Sequence, residues 1–335
     1  MSAPLVSVIV PACNARDTIV GTLESVRRQT IQDIELIVID DGSTDDTVAR
    51  AATVTDARIT ILSFPKAGLS TARNRGLARA LGGYLSFIDA DDLWTPDKLA
   101  LQLAALRRRP DAGVAYSWTY VIDAAGRPLG PHPPVRHEGD VRAEMLLGFF
   151  VGTGSNVLLR RAVIETVGGF DPTLAAAEDW EYLLRVAARW PFVVVPHYQI
   201  LYRQSPRGLS SQVETMREQA LHVIERAFAR APADLQRLKR RSQANVHRYV
   251  ARLALTHQPR GQGTKRARQS LAAALRLDPR LFLSPLTLRL CVRWALVRFV
   301  SPTVAERVAA LYRARRWRRV LDPSVLPAQE DLHGG

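Results

Sequence analysis

The sequence predicts an α/β fold, a Rossmann-like sheet flanked by helices, followed by a mostly α-helical C-terminal region. Three observations indicate this. Short apolar runs alternate with helical segments from the N-terminus onward, as in a doubly wound sheet. The run 35–39 is almost entirely apolar, which is typical of a parallel strand covered on both faces. Beyond residue 214 the strand signals stop and the chain becomes strongly basic.

The expected elements follow one another in strand–helix order. The expected strands are 5–10, 35–39, 59–63, 84–88, 113–121, 155–159, 192–195 and 200–202. The expected helices are 18–29, one ending near 53, 70–81, 96–108, 161–167 and 178–190. Asn14 or Asp17 can cap the first helix, and Ser43 or Thr44 can cap the second. Residues 123–140, rich in Gly, Pro and His, indicate a loop or hairpin.

The charge distribution marks a domain boundary. Residues 1–214 carry 22 Lys and Arg against 24 Asp and Glu, and residues 215–335 carry 24 against 8, so the net charges are −2 and +16. We therefore expect a catalytic domain in 1–214 and a basic helical region in 215–335, which favours an anionic partner. With no recognition motif, nucleic acid is not the expected partner.

Composition excludes several classes of protein. At 47% hydrophobic, the chain can form a sizeable core. Two cysteines, Cys13 and Cys291, exclude a disulfide framework and a Cys-rich zinc site, and they fit a reducing compartment. The opening residues have no basic n-region, and no apolar run is long enough to span a bilayer, so we expect a cytoplasmic protein without a signal or transmembrane helix.

Three carboxylates, Asp89, Asp91 and Asp92, follow the apolar run 84–88. They should lie at the carboxyl edge of the sheet, where ligands bind in open α/β folds. Clustered carboxylates suit a hard divalent cation such as Mg²⁺ or Mn²⁺. The alternative is an acidic turn before the next helix.

Two further groups point to the same edge. Asp40 and Asp41 follow the second strand and can accept hydrogen bonds from a base or a ribose, or they can simply cap a helix. Arg73 and Arg75 suit a diphosphate, or they can form a solvated helix face. Because residues two positions apart diverge on a helix, the two cannot both face the site, and Arg73 is favoured over Arg75.

Glu178 and Asp179 open a helix. The helix dipole should keep a carboxylate there ionised, and an ionised carboxylate beside a hydroxyl can act as a general base. The alternative is an ordinary helix N-terminus.

Together these motifs resemble family 2 glycosyltransferases, which are inverting, nucleotide-sugar-dependent enzymes with the GT-A fold. The resemblance covers roughly residues 4–210. The motifs that carry it are Val6-Ser7-Val8-Ile9-Val10-Pro11 with Asn14, Asp40-Asp41-Gly42-Ser43-Thr44-Asp45, Ala72-Arg73-Asn74-Arg75-Gly76, Asp89-Ala90-Asp91-Asp92 and Glu178-Asp179.

The resemblance implies a donor site. Pro11 and the loop through Cys13 to Asn14 would line the nucleotide pocket. Asp41, supported by Asp40, would bind the base, usually uracil.

It also implies the reacting centre. Arg73 would lie near the diphosphate. Asp89, Ala90 and Asp91 would form the DXD motif, in which one acid holds the ribose or sugar and Asp91 or Asp92 holds the metal.

The acceptor side follows in the same way. Asp179 would be the catalytic base. The acceptor would lie near Gly154, Ser155, Glu178 and Trp180. The implied function is transfer of a sugar from a nucleotide-sugar, with a UDP-sugar expected, to a glycan or lipid-linked acceptor in cell-surface polysaccharide or glycoconjugate synthesis.

Two positions depart from the family pattern. Cys13 stands where many relatives have Tyr, which puts base selectivity in doubt. Ser205 stands where many have His, which puts a third metal ligand in doubt. These departures favour the alternative of a non-catalytic nucleotide-sugar-binding or scaffold protein. A nucleotidyltransferase is disfavoured because Pro11-Ala12-Cys13-Asn14 is not a Gly-rich loop.

The basic tail suggests an anionic membrane surface. Residues 281–300 interleave Leu, Phe, Trp and Val with Arg, and the run 312–319 is rich in Arg and Trp. Such a composition suits a bilayer interface, so we expect peripheral association with the inner face of a membrane. The alternative is a helical subdomain with a solvated basic face.

Overall fold

The computed structural model describes residues 3–205, 208 and 211–299. Within them, the chain forms two compact units. One contains residues up to 142 together with 150–203, and the other contains 143–149 together with the chain from 204 onward. The change of unit after Arg203 lies a few residues before the charge step at 214, and the charge pattern gave no sign that 143–149 belongs with the helices.

The first unit is built on one nine-stranded mixed sheet in the order β3-β2-β1-β4-β8-β6-β9-β5, with β7 paired to β6. Its strands are β1 (Val6–Ala12), β2 (Ile34–Asp41), β3 (Ile59–Phe64), β4 (Tyr84–Phe87), β5 (Leu93–Trp94), β6 (Val114–Ile122), β7 (Pro128–Pro131), β8 (Leu158–Arg160) and β9 (Phe192–Arg203). The helices that precede residue 203 in the chain are α1 (Ile19–Arg27), α2 (Thr47–Ala52), α3 (Leu69–Leu77), α4 (Lys98–Arg108), α5 (Arg142–Leu147), α6 (Arg161–Val167) and α7 (Glu178–Ala187). Of these, α5 belongs almost entirely to the second unit.

The parallel strands β3, β2, β1 and β4 position the site. In the register of β1 with β2, Ala12 lies opposite Asp40, and on the other side of β1, Ile9 lies opposite Phe87. Because all four strands run the same way, the residues that follow them share one edge. The fully buried Ile9 holds this arrangement, since a side chain of that kind contributes about 1.5–3 kcal/mol when buried.

Two strand predictions were wrong. β5 was missed because two residues are too short to show a period. The runs 192–195 and 200–202 form one strand, β9, since Pro196 does not interrupt it. The partner β6 shifts register between Tyr116 and Trp118, where β9 advances from Val194 to Tyr198, and this irregularity absorbs the proline.

The predicted helix caps were also wrong. The N-cap of α1 is Thr18 and that of α2 is Asp46, neither through a side-chain hydrogen bond. Asn14 instead joins two loops, since its backbone N–H donates to Ser43 Oγ at 2.9 Å and its Oδ1 accepts from the N–H of Thr44 at 2.8 Å. Three of the predicted capping residues, Asn14, Ser43 and Thr44, therefore tie together the loops that follow β1 and β2.

The second unit is helical, as predicted. After α5 its helices are α8 (Val213–Arg230), α9 (Lys239–His257), α10 (Arg260–Leu277) and α11 (Pro285–Phe299), with 3₁₀ turns at Ala233–Leu238 and Pro279–Leu283. In the part of the chain that the structure describes, no helix is both long and apolar enough to cross a membrane. The predicted basic run 312–319 lies outside the described residues.

Candidate active site

The first acidic pair, Asp40 and Asp41, is buried at the end of β2, with 4% of each residue exposed. Asp40 Oδ1 accepts a hydrogen bond from the N–H of Ser43 at 3.0 Å. Asp41 accepts from the N–H groups of Ala67 and Gly68, at 2.9 and 2.7 Å. Both carboxylates therefore organise the loops of this edge, and a role in binding the base stays a prediction.

Arg75 is the second support of this cluster. Its Nη1 donates to Asp41 Oδ1 at 3.0 Å, and its guanidinium lies 4.6 Å from the centre of the Phe64 ring. Cys13 lies exposed on the preceding loop, and Pro11 pairs with Ile39 inside the sheet. The open part of the predicted nucleotide pocket is thus the loop from Cys13 to Asn14.

Arg73 lies at the centre of the site. Its Nη1 donates to Glu178 Oε1 at 2.6 Å and its Nη2 donates to Asp89 Oδ1 at 2.7 Å, although only 1% of its side chain is exposed. The prediction that Arg73 and Arg75 diverge is confirmed, but neither is a solvated residue, because each pairs with a different acidic cluster. Arg73 ties the loop after β4 to the start of α7.

Gly154 fits against this arginine. A Cβ atom at position 154 would lie 3.0 Å from Arg73 Nη2 and 3.5 Å from the Cβ of Asp179. These contacts place Gly154, Arg73 and Asp179 side by side. A larger residue at this position would displace the guanidinium from its two carboxylates.

Asp92 is fixed by hydrogen bonds inside the protein, and its role as a metal ligand stays a prediction. It is fully buried. Its Oδ1 accepts from the N–H of Arg203 at 2.9 Å, and its Oδ2 accepts from Ser155 Oγ at 2.6 Å and Thr153 Oγ1 at 3.4 Å. Burial, then the charges of Asp91 and Asp89, raises its pKa well above the ordinary value.

Asp91 and Asp89 fit a divalent cation better. Burial and the charge of Asp89 raise the pKa of Asp91 to about 6, so an ionised Asp91 calls for positive charge. Asp89 is 26% exposed on its side chain and uses Oδ1 for Arg73. Within the described residues, no group of three or more His, Cys, Asp or Glu could hold a metal, so the remaining ligands of a cation here would be diphosphate oxygens or water.

Asp179 lies in the first turn of α7, next to Glu178. Its pKa is raised to about 7, first by burial and then by the charge of Glu178, while Arg73 lowers it. The expectation that the helix dipole keeps this carboxylate ionised is therefore wrong at acidic pH, because burial outweighs the dipole. A pKa near 7 suits a general base that must both gain and lose a proton.

Backbone strain precedes this carboxylate. Ala177, the N-cap of α7, has a φ of 59° in the left-handed region, which a residue with a Cβ adopts at a cost of about 1–2 kcal/mol. Such strain persists where the surrounding contacts fix the backbone, and it is common at functional sites.

The four predicted acceptor residues, Gly154, Ser155, Glu178 and Trp180, are buried. Ser155 Oγ accepts from the N–H of Asp89 at 3.0 Å while it donates to Asp92, and Glu178 pairs with Arg73. The polar groups of Ser155 and Glu178 are thus engaged inside the protein, and their contact with the acceptor stays a prediction. They form the wall of the site.

Comparison with known proteins identifies the family. The family model described as "Glycosyltransferase like family 2" matches residues 7–252. The chain belongs to this family. It is therefore a glycosyltransferase, which disfavours the reading as a non-catalytic protein.

The similar curated proteins include enzymes of polysaccharide assembly. The chain is 42% identical over 119 residues, 35% of its length and 46% of the relative's, to the putative teichuronic acid biosynthesis glycosyltransferase TuaG of Bacillus subtilis. It is 27% identical over 234 residues, 68% of its length and 33% of the relative's, to chondroitin synthase of Escherichia coli. The chain thus spans less than half the length of these two relatives.

Solved structures confirm the GT-A fold. The S. aureus TarS fragment 1-349 superposes with a TM-score of 0.56 at 19% identity, over 93% of this chain and 92% of that one. The mannosyltransferase PcManGT from Pyrobaculum calidifontis, solved with GDP-Man and Mn²⁺, gives 0.57 at 20% identity, over 93% and 88%.

Sequence reasoning missed one residue of the glycosyltransferase's site, Arg203 at the end of β9. Its N–H donates to Asp92 Oδ1, and its Nε donates to the backbone oxygen of Asp91 at 2.8 Å. It thereby fixes both acids from the other half of the sheet. The available signal was a charged residue that ends an apolar strand.

Proposed function

We propose that this glycosyltransferase transfers a sugar from a UDP-sugar to a hydroxyl of a glycan or lipid-linked acceptor, with inversion at the anomeric carbon, in the synthesis of a cell-surface polysaccharide or glycoconjugate. One observation carries the proposal. Arg73 joins Asp89 of the donor loop to Glu178 at 2.7 and 2.6 Å, which holds Asp179 beside that loop.

The relatives support this choice of donor and acceptor. The chain is 40% identical over 103 residues, 30% of its length and 41% of the relative's, to a protein of Escherichia coli named UDP-Glc:alpha-D-GlcNAc-diphosphoundecaprenol beta-1,3-glucosyltransferase WfgD. The TarS fragment has also been solved with UDP-GlcNAc. PcManGT was solved with GDP-Man instead, so selectivity for the base must be measured.

Mg²⁺ or Mn²⁺ would be held by Asp91, with the oxygen of Asp89 that Arg73 leaves free as the neighbouring donor. The chemistry of this donor set fits, because both residues offer carboxylate oxygens, and burial and the charge of Asp89 raise the pKa of Asp91 to about 6 although Arg203 lowers it, so that a further cation would be stabilising. When bound, such a cation neutralises negative charge on the leaving diphosphate.

The chain's own residues supply the rest of the mechanism. Asp179 accepts the proton of the acceptor hydroxyl, which then attacks the anomeric carbon opposite the leaving nucleotide. A single displacement of this kind inverts the configuration and needs no covalent intermediate. Arg73 is the positioning residue, since it fixes Asp89 and the start of α7 in one geometry.

The base-binding proposal rests on the loops at Asp41. Asp41 holds the backbone at Ala67 and Gly68, and Asn14 ties the two neighbouring loops. These contacts support a preformed pocket beside the exposed Cys13. Because a thiol offers less stacking surface than an aromatic ring, we expect weaker discrimination between bases here than an aromatic residue would give.

We further propose that the basic helical region associates with an anionic membrane surface on the cytoplasmic side. On α11, Leu288, Val292 and Phe299 follow helical spacing and are 47%, 59% and 73% exposed. Arg289 and Arg293 adjoin this stripe. An apolar face flanked by arginines is typical of a helix that lies in a bilayer interface.

Two measurements test the catalytic proposal. Calorimetric titration of the full chain with UDP, GDP and dTDP, with and without Mn²⁺, should show metal-dependent binding that favours UDP. Transfer should then be assayed with a panel of UDP-sugars, and NMR should show inverted anomeric configuration in the product.

The matched variants are Asp179→Asn and Asp111→Asn, which make the same chemical change in the site and on the exposed surface. Asp179→Asn should bind UDP normally and lose transfer by at least about a hundredfold, the usual contribution of a general base, while Asp111→Asn stays active. Full activity of Asp179→Asn would refute the base assignment. If none of the three nucleotides binds, the alternative of a non-catalytic scaffold protein would be favoured.

A further inference from the structure

A surface cavity lies between α10 and α11 in the helical unit, and none of the residues that line it is assigned to catalysis. Its volume is about 550 Å³. Four of the side chains that line it are cationic, namely Arg260, Lys265, Arg268 and Arg298, and Trp294 adds an aromatic wall. A cavity of this size accommodates a phosphate together with part of the group that carries it.

The positive charge of this cavity is not compensated. Within 3–205, 208 and 211–299, no carboxylate forms an ion pair with any of the four cations, whereas the neighbouring Arg266 pairs with Glu214 at 2.6 Å. Neither α10 nor α11 contains an Asp or a Glu. Like charges gathered in a concave surface repel one another and focus a positive potential, so the cavity is best stabilised by an anion.

The N-terminus of α10 adds neutral donors. Arg260 and Gly261 begin this 18-residue helix, so their backbone N–H groups have no partner within the helix. A Cβ atom at Gly261 would meet nothing within 4 Å, which leaves this turn open to the cavity. Guanidinium groups beside a helix N-terminus match the oxygens of a phosphate in both charge and geometry.

Trp294 is a fixed wall of the cavity, because its Nε1 donates to the backbone oxygen of Thr264 at 2.9 Å. The exposed stripe of Leu288, Val292 and Phe299 lies on the other face of α11, since helical spacing separates these residues from Trp294 and Arg298 of the cavity lining. The stripe is therefore a separate apolar surface, and the cavity recognises a phosphate by its cations and by the helix N-terminus.

We propose that this cavity binds a phosphate group, and that the source of the phosphate is the headgroup of an anionic membrane lipid. The inference rests on the proposed membrane association and goes beyond it, because it names a discrete site instead of diffuse attraction. Lys265 and Arg268 hold the phosphate from one face of α10, and Arg298 holds it from α11.

The test is flotation of the full chain with vesicles of phosphatidylcholine alone and of phosphatidylcholine mixed with phosphatidylglycerol. The site variant is Lys265→Gln with Arg268→Gln. The matched control is Arg276→Gln with Arg289→Gln, which removes two exposed cations from the same two helices outside the cavity. The wild-type chain should bind only the mixed vesicles. The site variant should lose at least about tenfold more in partition coefficient than the control.

Equal losses in the two double variants would overturn the discrete site and leave membrane association standing. No binding of the wild-type chain to mixed vesicles would overturn both. Transfer to a soluble acceptor requires neither membrane association nor the cavity, so this assay tests the catalytic proposal independently. Unchanged UDP binding by each double variant would show that the variant is folded.

The source of the phosphate is tested separately. Titration with glycerol 3-phosphate, which carries the phosphate without acyl chains, should show weaker binding than the vesicles do, and Leu288→Ser with Val292→Ser should weaken only vesicle binding. If glycerol 3-phosphate binds as tightly as the vesicles and the serine variant floats normally, the cavity takes a soluble phosphate and the lipid assignment is wrong.

Discussion

The pH dependence of transfer should report the titration of Asp179. Its pKa is raised to about 7 by burial and by the charge of Glu178. A general base must be ionised, so activity is retained above this pKa and is lost as the pH falls through it. With a pKa of about 7, roughly 91% of Asp179 is ionised at about pH 8 and roughly 9% at about pH 6, so kcat/KM should fall roughly tenfold.

Glu178→Gln should move the acidic limb of the pH profile, the range in which activity falls as Asp179 is protonated. The substitution removes the second cause of the raised pKa and leaves Arg73 to lower it, so the acidic limb of the pH profile should shift toward lower pH. Gln can still accept the hydrogen bond from Arg73, which limits the structural change. The control is Glu165→Gln, an equal change of charge at an exposed position of α6.

The assay measures initial rates of sugar transfer to the acceptor at donor concentrations below KM, from about pH 5.5 to 8.5, at constant ionic strength and saturating Mn²⁺, so that kcat/KM reports the free enzyme. The reasoning is refuted if the wild-type profile is flat between about pH 6 and 8. It is equally refuted if Glu178→Gln leaves the limb where it is in the wild type, since the charge of Glu178 would then not act on the base.

Three further predictions concern the metal and the core. Asp91→Asn should abolish the Mn²⁺-dependent gain in UDP affinity, measured by calorimetry. Lys98→Met should stabilise the fold by about 1–2 kcal/mol in urea unfolding, because Lys98 is fully buried, its Nζ hydrogen-bonds to Ser86 and to a backbone oxygen with no carboxylate partner among the described residues, and burial lowers its pKa. In the wild type, the unfolded state binds a proton at Lys98 more readily than the folded state does, so the free energy of unfolding falls as the pH is lowered from about 10 toward neutral. The stability difference between Lys98→Met and the wild type should therefore grow over the same pH range. Gly76→Ala should cost roughly 1–2 kcal/mol in Tm-based unfolding, because its Cβ would lie 2.3 Å from Ile9 of β1.

The parallel half of the sheet could be predicted because burial on both faces leaves an apolar signature in each strand. β2 was expected at 35–39 and is observed at Ile34–Asp41. β9 shows where this reasoning stops. Pro196 removes a backbone donor, which predicts a break, yet the tertiary partner β6 adjusts its register and the strand continues. Local sequence carries no information about what a partner strand can absorb.

The sequence predicted which edge of the sheet carries the acidic residues, but it did not predict the hydrogen-bond partners of those residues. Each acid was placed at the correct edge because strands end there. The partners of Asp92 are remote in sequence, with Ser155 at 63 residues and Arg203 at 111 residues away, so its structural role could not be seen. The same distance problem explains the pKa of Asp179, because the helix dipole is a local effect whereas burial depends on the whole fold.

The helical unit is discontinuous along the chain, and this limits how the enzyme can be divided. Ser242 and Asn245 of α9 donate hydrogen bonds to the backbone oxygens of Leu146 and Leu147 at the end of α5. A fragment cut after residue 203 would keep α5 without these donors and would expose the buried Met145. Exchange of the C-terminal region between relatives at a single crossover would separate α5 from its partners in the same way. Gene fusions and truncations of this glycosyltransferase should therefore carry both segments from one parent.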